Sequence, residues 1–148
     1  MRACRAILAG SCLWLLGSAP AIAQDVFAGT WVVSDAQAAP WVDGSAGTQP
    51  AINEAVSHGR FTFKTDSVEG PPPFNCQQVQ YKVQEVGPEY LFEGGLAEPA
   101  KQAAALGFTS DKIVSLSMGC VSNGADIGMA FDLIDPDTAV FALDNVIS

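Results

Sequence analysis

KIVSLSMGCVSNGADIGMAFDLI, residues 112–134, decides how this chain is read. Val114, Leu116, Met118 and Cys120 alternate with Ser115, Ser117 and Gly119. Beyond Asn123-Gly124, Ile127, Met129, Phe131 and Leu133 alternate with Asp126, Gly128, Ala130 and Asp132. A period of two is the strand period, and one apolar face per strand is what an antiparallel sheet over a single core requires. Asn-Gly tolerates positive φ at both positions, so the stretch predicts two strands joined by a tight hairpin.

The same alternation runs outward in both directions. In GRFTFKTDSV, Phe61 and Phe63 oppose Arg60, Thr62 and Lys64; in QQVQYKVQEV, Val79, Tyr81 and Val83 oppose Gln78, Gln80, Lys82 and Gln84. Towards the end of the chain, Ala139, Phe141, Leu143, Asn145 and Ile147 fall on one face. Asp135-Pro136-Asp137-Thr138 fits a type I turn, Gly70-Pro71-Pro72-Pro73 fits an extended connector, and Pro88-Glu89 starts a turn before EYLFEGGL. Ala97 to Phe108 breaks the rhythm: it is alanine-rich, with Pro99 near its start and Gly107 after Leu106, the pattern of a short helix. Asp35 to Ser57 reads as a long loop carrying Trp41, with a short helix near Asn53 to Ser57. The expected fold is all-β: a small antiparallel barrel or half-barrel of about seven or eight strands with one short helix.

Met1 to Ala23 stands apart. Arg2 and Arg5 precede the apolar run Ile7 to Leu16, Pro20 interrupts it, and Ala21-Ile22-Ala23 is a small-x-small end. This is the form of a secretory signal peptide, cleaved near Ala23, leaving 24–148 as one domain in the periplasm or secreted. The whole chain carries 7 basic and 16 acidic residues, a net charge of −9. Without Arg2 and Arg5 the balance is five against sixteen, or −11. Such a surface repels phosphate backbones and anionic membrane, and favours solubility or a cationic protein partner. Cys76 and Cys120, an even pair in an exported chain, are expected to form a structural disulfide.

Candidates for chemistry are few. His58 is the one histidine, with no zinc-ligand spacing or nucleophile motif around it. Asp132, Asp135 and Asp137 cluster, but they straddle a turn rather than form a calcium loop. Gly94-Gly95 reads as a turn, and there is no phosphate loop. Neither metal nor cofactor is expected, and no nucleophile–base pair points to an enzyme. The aromatic residues mostly fall on core faces, whereas Trp41 follows Pro40 in a loop, where packing does not call for it.

Near the start of the domain, FAGTW (residues 27–31) resembles the Gly-x-Trp first-strand signature of lipocalins and other calycin barrels. The resemblance implies an up-and-down barrel with Trp31 as the plug of its closed end and a cup for a small apolar ligand. Small exported bacterial proteins with META-like or lysozyme-inhibitor-like folds have the same overall look, and the combination resembles an uncharacterised family of exported bacterial proteins. The functional expectation is a non-enzymatic binding module, with a small apolar ligand lined by Trp41, Phe61, Tyr81, Met118 and Met129. Its alternative is an acidic protein-binding module that inhibits a cationic hydrolase such as lysozyme.

Overall fold

The computed structural model describes residues 25–42, 54–72, 74–122, 124–143 and 146–148. The expected leader, most of the centre of the 35–57 loop, Pro73, Asn123 and Asn145 lie outside them. Among the described residues the chain is all-β, with ten strands in two antiparallel sheets. The first sheet has the order β1 (Gly29–Val32), β3 (Arg60–Phe63), β4 (Ser67–Glu69), β5 (Cys76–Gln77). The second has the order β2 (Gln37–Ala38), β10 (Val146–Ile147), β9 (Thr138–Leu143), β8 (Ala125–Asp135), β7 (Ile113–Ser122), β6 (Gln80–Val86). The strands beyond the expected seven or eight are two-residue pieces, β2, β5 and β10, too short to show a period.

The long hairpin lies where the alternation put it. Ser122 pairs with Ala125, leaving two residues for the turn, and Gly124 has φ +80°. No barrel closes among the described strands, because the chain changes sheets at corners instead. At one corner Gln78 takes φ +59° and Val79 N–H donates to Asp66 O at 2.8 Å, swinging the chain from β5 in the first sheet to β6 in the second. The disulfide Cys76–Cys120 ties β5 to β7 across the same gap, with Cα atoms 6.1 Å apart.

The space between the sheets is filled by rings. Phe61, 1% exposed, lies 5.6 Å from Phe141 and 5.7 Å from Phe131, while Phe63 meets Phe131 edge-on at 5.0 Å. Val68, Phe74, Leu116, Met118 and Met129 complete this core. Burying each such side chain contributes about 1.5–3 kcal/mol, and the offset ring geometry adds to it.

A second core lies on the opposite face of the six-stranded sheet. There a 3₁₀ segment (Pro88–Gly94) and a helix cover Ile113, Val140 and Ile147 with Leu91, Leu96, Ala103 and Phe108. Ile147 therefore does not lie on the face of Phe141 and Leu143, where the alternation put it: β9 and β10 are separate strands, and Val146 pairs with Leu143 and Ile147 with Ala142. Two helices are described. α1 (Glu54–Ser57) is a single turn where the loop reading placed one, and α2 (Pro99–Ala105) is the proline-led helix. Gly107 at φ +101° ends α2: its N–H bonds Ala104 O at 3.1 Å and Phe108 N–H bonds Ala103 O at 3.0 Å, a Schellman cap. EYLFEGGL is not a strand. Phe92 (φ 51°, ψ 43°) and Glu93 (φ 58°, ψ 29°) are both left-handed, which folds the 3₁₀ segment back over the sheet.

Candidate functional site

The two-residue period that buries Leu116 and Phe131 in the ring core sends their neighbours to the other face. Strand register aligns these neighbours in rows: Gln84, Ser115, Asp132 and Val140, then Lys82, Ser117 and Ala130, then Gln80, Gly119 and Gly128. At one end of this face the helical layer packs down on Ile113 and Val140. At the other end the residues are small, and the surface dips into a trough. Two hollows of about 650 and 520 Å³ make up the trough and share Phe92, Glu93, Gly128, Met129, Ala130 and Asp132. Ser115 and Ser117 line one end, and Trp41, Gly95 and Ala142 the other. Volumes of this order suit a small organic ligand.

The walls are aromatic. Tyr90, 67% exposed, and Phe92 project from the 3₁₀ segment, and Trp41 stands 5.6 Å from Phe92, tilted by 48°. Trp41 rests on Gly95, where an added Cβ would come within 3.3 Å of its ring and 3.1 Å of Phe92 O. The left-handed pair Phe92-Glu93 holds the wall over the floor. Two consecutive non-glycine residues in that region cost about 1–3 kcal/mol each, and such strain gathers at ligand clamps.

Asp132 is the centre of the floor. It is 3% exposed, borders both hollows and accepts a hydrogen bond from the Ser115 hydroxyl. Burial pushes its carboxyl up to about 6, against the smaller lowering effect of Ser115. Among the described residues no basic side chain pairs with it. Lys82 lies one row away on the same face, and Lys112 reaches Glu85, at 4.0 Å, instead.

The expected ligand-lining residues divide between the two faces. Trp41 is in the trough wall. Met118 and Met129 border the trough, but their side chains belong to the ring core on the opposite face. Phe61 is sealed in that core, and Tyr81 packs against it while its hydroxyl donates to Ser67 O at 2.9 Å. Clefts against this core measure about 190 and 60 Å³. Trp31 lies half-buried on β1, its Nε1–H donating to Phe27 O at 3.0 Å. His58 is exposed beside α1, and Asp135 accepts the Asp137 N–H within the turn at 2.8 Å.

Sequence reasoning missed Asp132 as a floor residue, together with Ser115, Ser117, Phe92 and Glu93. A signal was present: Ile113, Ile134 and Val140 sit on the nominally polar faces of β7, β8 and β9, which a solvent-facing surface would not need. No helix among the described residues is long and apolar enough to cross a membrane. No protein-family model, curated protein or solved structure matches this chain.

Proposed function

We propose that this protein is an exported, non-enzymatic binding module that holds a small, partly apolar ligand in the trough on the outer face of its six-stranded sheet. The observation that carries the reading is the trough itself: a floor of small residues around one buried carboxyl, walled by Trp41, Phe92 and Tyr90. Concave surfaces with an aromatic lining and a few convergent polar groups are the usual form of a small-molecule site. Phenylalanines occupy the space between the sheets, so the outer face offers the larger volume. Export to the periplasm or the exterior is supported by the Cys76–Cys120 disulfide and by the leader-like residues 1–23. Capture of a cationic hydrolase has the acidic net charge as its support.

The test is a fluorescence titration. Trp41 borders the trough and Trp31 does not, so binding of small aromatic compounds should change the emission of Trp41 alone. The change should persist in Trp31→Phe and vanish in Trp41→Phe. Amide shifts confined to β1 and β3 on ligand addition would place the site between the sheets and overturn the reading.

A further inference from the structure

Resting on that reading, we infer that the ligand's polar end is an organic ammonium, seated over Asp132 and Ser115 with its apolar body against the wall that Trp41 and Phe92 form together. Three independent features of the trough converge on positive charge. The floor carboxyl is almost fully enclosed yet has a hydroxyl as its partner and no cation among the described residues. A carboxylate so placed is normally paired, and a bound cation would supply the missing partner. Above it, Trp41 and Phe92 present two tilted rings 5.6 Å apart, and ring faces attract ammonium groups. Glu93 adds a second acidic side chain to both hollows, held there by its left-handed backbone.

The other charged and titratable groups near the floor are of both signs, and the cations stand off from the carboxyl. β6 brings Glu85, which Lys112 partly offsets at 4.0 Å, and Lys82, which is exposed one row away. The 3₁₀ segment brings Tyr90 and Glu93; β9 brings Val140, which does not titrate. Asp132 and Glu93 therefore set the local charge, and an anionic ligand would face two carboxylates. Because burial raises the floor carboxyl to about 6, charge-dependent binding should appear above that pH and fade below it.

The probes are phenethylamine, 2-phenylethanol and 3-phenylpropanoate, which share a phenyl ring and differ in the charge of the polar end. They are titrated against the disulfide-intact protein by tryptophan fluorescence and calorimetry. At about pH 7.5 the amine should bind about tenfold or more tighter than the alcohol, a gap of about 1.4 kcal/mol, and the anion more weakly than either. At about pH 5, where the amine is still charged and the floor carboxyl is mostly protonated, the gap should narrow. Asp132→Asn, which keeps shape and the Ser115 contact, should remove most of the amine's advantage over the alcohol. Equal affinity for amine and alcohol at about pH 7.5 would overturn the ammonium assignment and leave the trough as a neutral-ligand site. An undiminished preference in Asp132→Asn would also overturn it. If neither the amine nor the alcohol perturbs Trp41, the binding-module reading falls with it.

Discussion

Asp132 shows how one residue links the stability of this protein to its chemistry. Burial raises the carboxyl from an ordinary 3.8 to about 6, so the folded protein holds that proton more tightly than the unfolded chain. Between those values unfolding releases a proton, and stability falls as pH rises; above about 6 the loss is complete. The rise from 3.8 to about 6 corresponds to about 3 kcal/mol, the cost of keeping a buried carboxylate, with no cationic partner among the described residues, on the floor at neutral pH. Asp132→Asn removes that cost. It should raise the free energy of unfolding by up to about 3 kcal/mol at about pH 7.5 and change it little near pH 4. Urea unfolding at the two pH values checks this; equal midpoint shifts at both would mean that the carboxyl titrates normally. Glu93 poses the same conflict in the backbone. Glycine adopts its left-handed φ of 58° without steric penalty, so Glu93→Gly should stabilise the fold by about 1 kcal/mol while removing one acid from the trough. The two costs, one in charge and one in backbone, fall on two residues that line the same trough.

At the scale of elements, the helical layer decides whether the trough exists at all. α2 is seven residues long and has little helical stability of its own, so its ending is set by the cap. Gly107 holds φ +101°, and a Cβ there would lie 3.4 Å from Ile134 Cδ1 on β8. Gly107→Ala should therefore cost about 1–2 kcal/mol in backbone strain, with faster amide exchange in α2 and the 3₁₀ segment but not in β7 or β8. Uniform exchange throughout would mean that the layer and the sheet open as one unit. The elements also divide by how legible they were. β3, β6, β7, β8 and β9 each carry three or more alternating positions, and their inward faces fall as the period predicts. α2 announces itself through Pro99 and Gly107. The 3₁₀ segment does not: Leu91 and Phe92 look like strand residues, and nothing in EYLFEGGL forces two consecutive left-handed residues except the sheet beneath. Asp132 was obscured for the same reason. Alternation assigned it to a polar, solvent-facing side, and only the layer packed across that side makes it buried. Trp41 could be singled out locally because a tryptophan after a proline in a loop lacks a packing motive; its neighbour Phe92 could not.

For the whole molecule, the two cores make separable contributions. The ring core joins the two sheets, and the Cys76–Cys120 bridge, closing a separation of 44 residues, lies along its margin. In the chain-entropy account such a closure stabilises the fold by about 4 kcal/mol, against a net stability of about 5–15 kcal/mol for a domain of this kind. Removing the ring of Phe61 should cost a similar amount, about 3–5 kcal/mol, through lost burial and a cavity. The trough belongs to the other core: its floor is β7 and β8, its walls come from the 3₁₀ segment and Trp41, and neither sulfur borders it. Reduction should therefore lower the urea midpoint by the equivalent of about 4 kcal/mol while leaving probe affinity in the absence of denaturant within about twofold. The Cys76→Ala, Cys120→Ala double variant should match the reduced protein in both respects. Phe61→Ala should behave likewise, because the ring it deletes lies in the inter-sheet core, with the six-stranded sheet between it and the trough. Loss of binding in step with stability would mean that the two faces of the six-stranded sheet are mechanically coupled, and that the sandwich, rather than one layer of it, shapes the site.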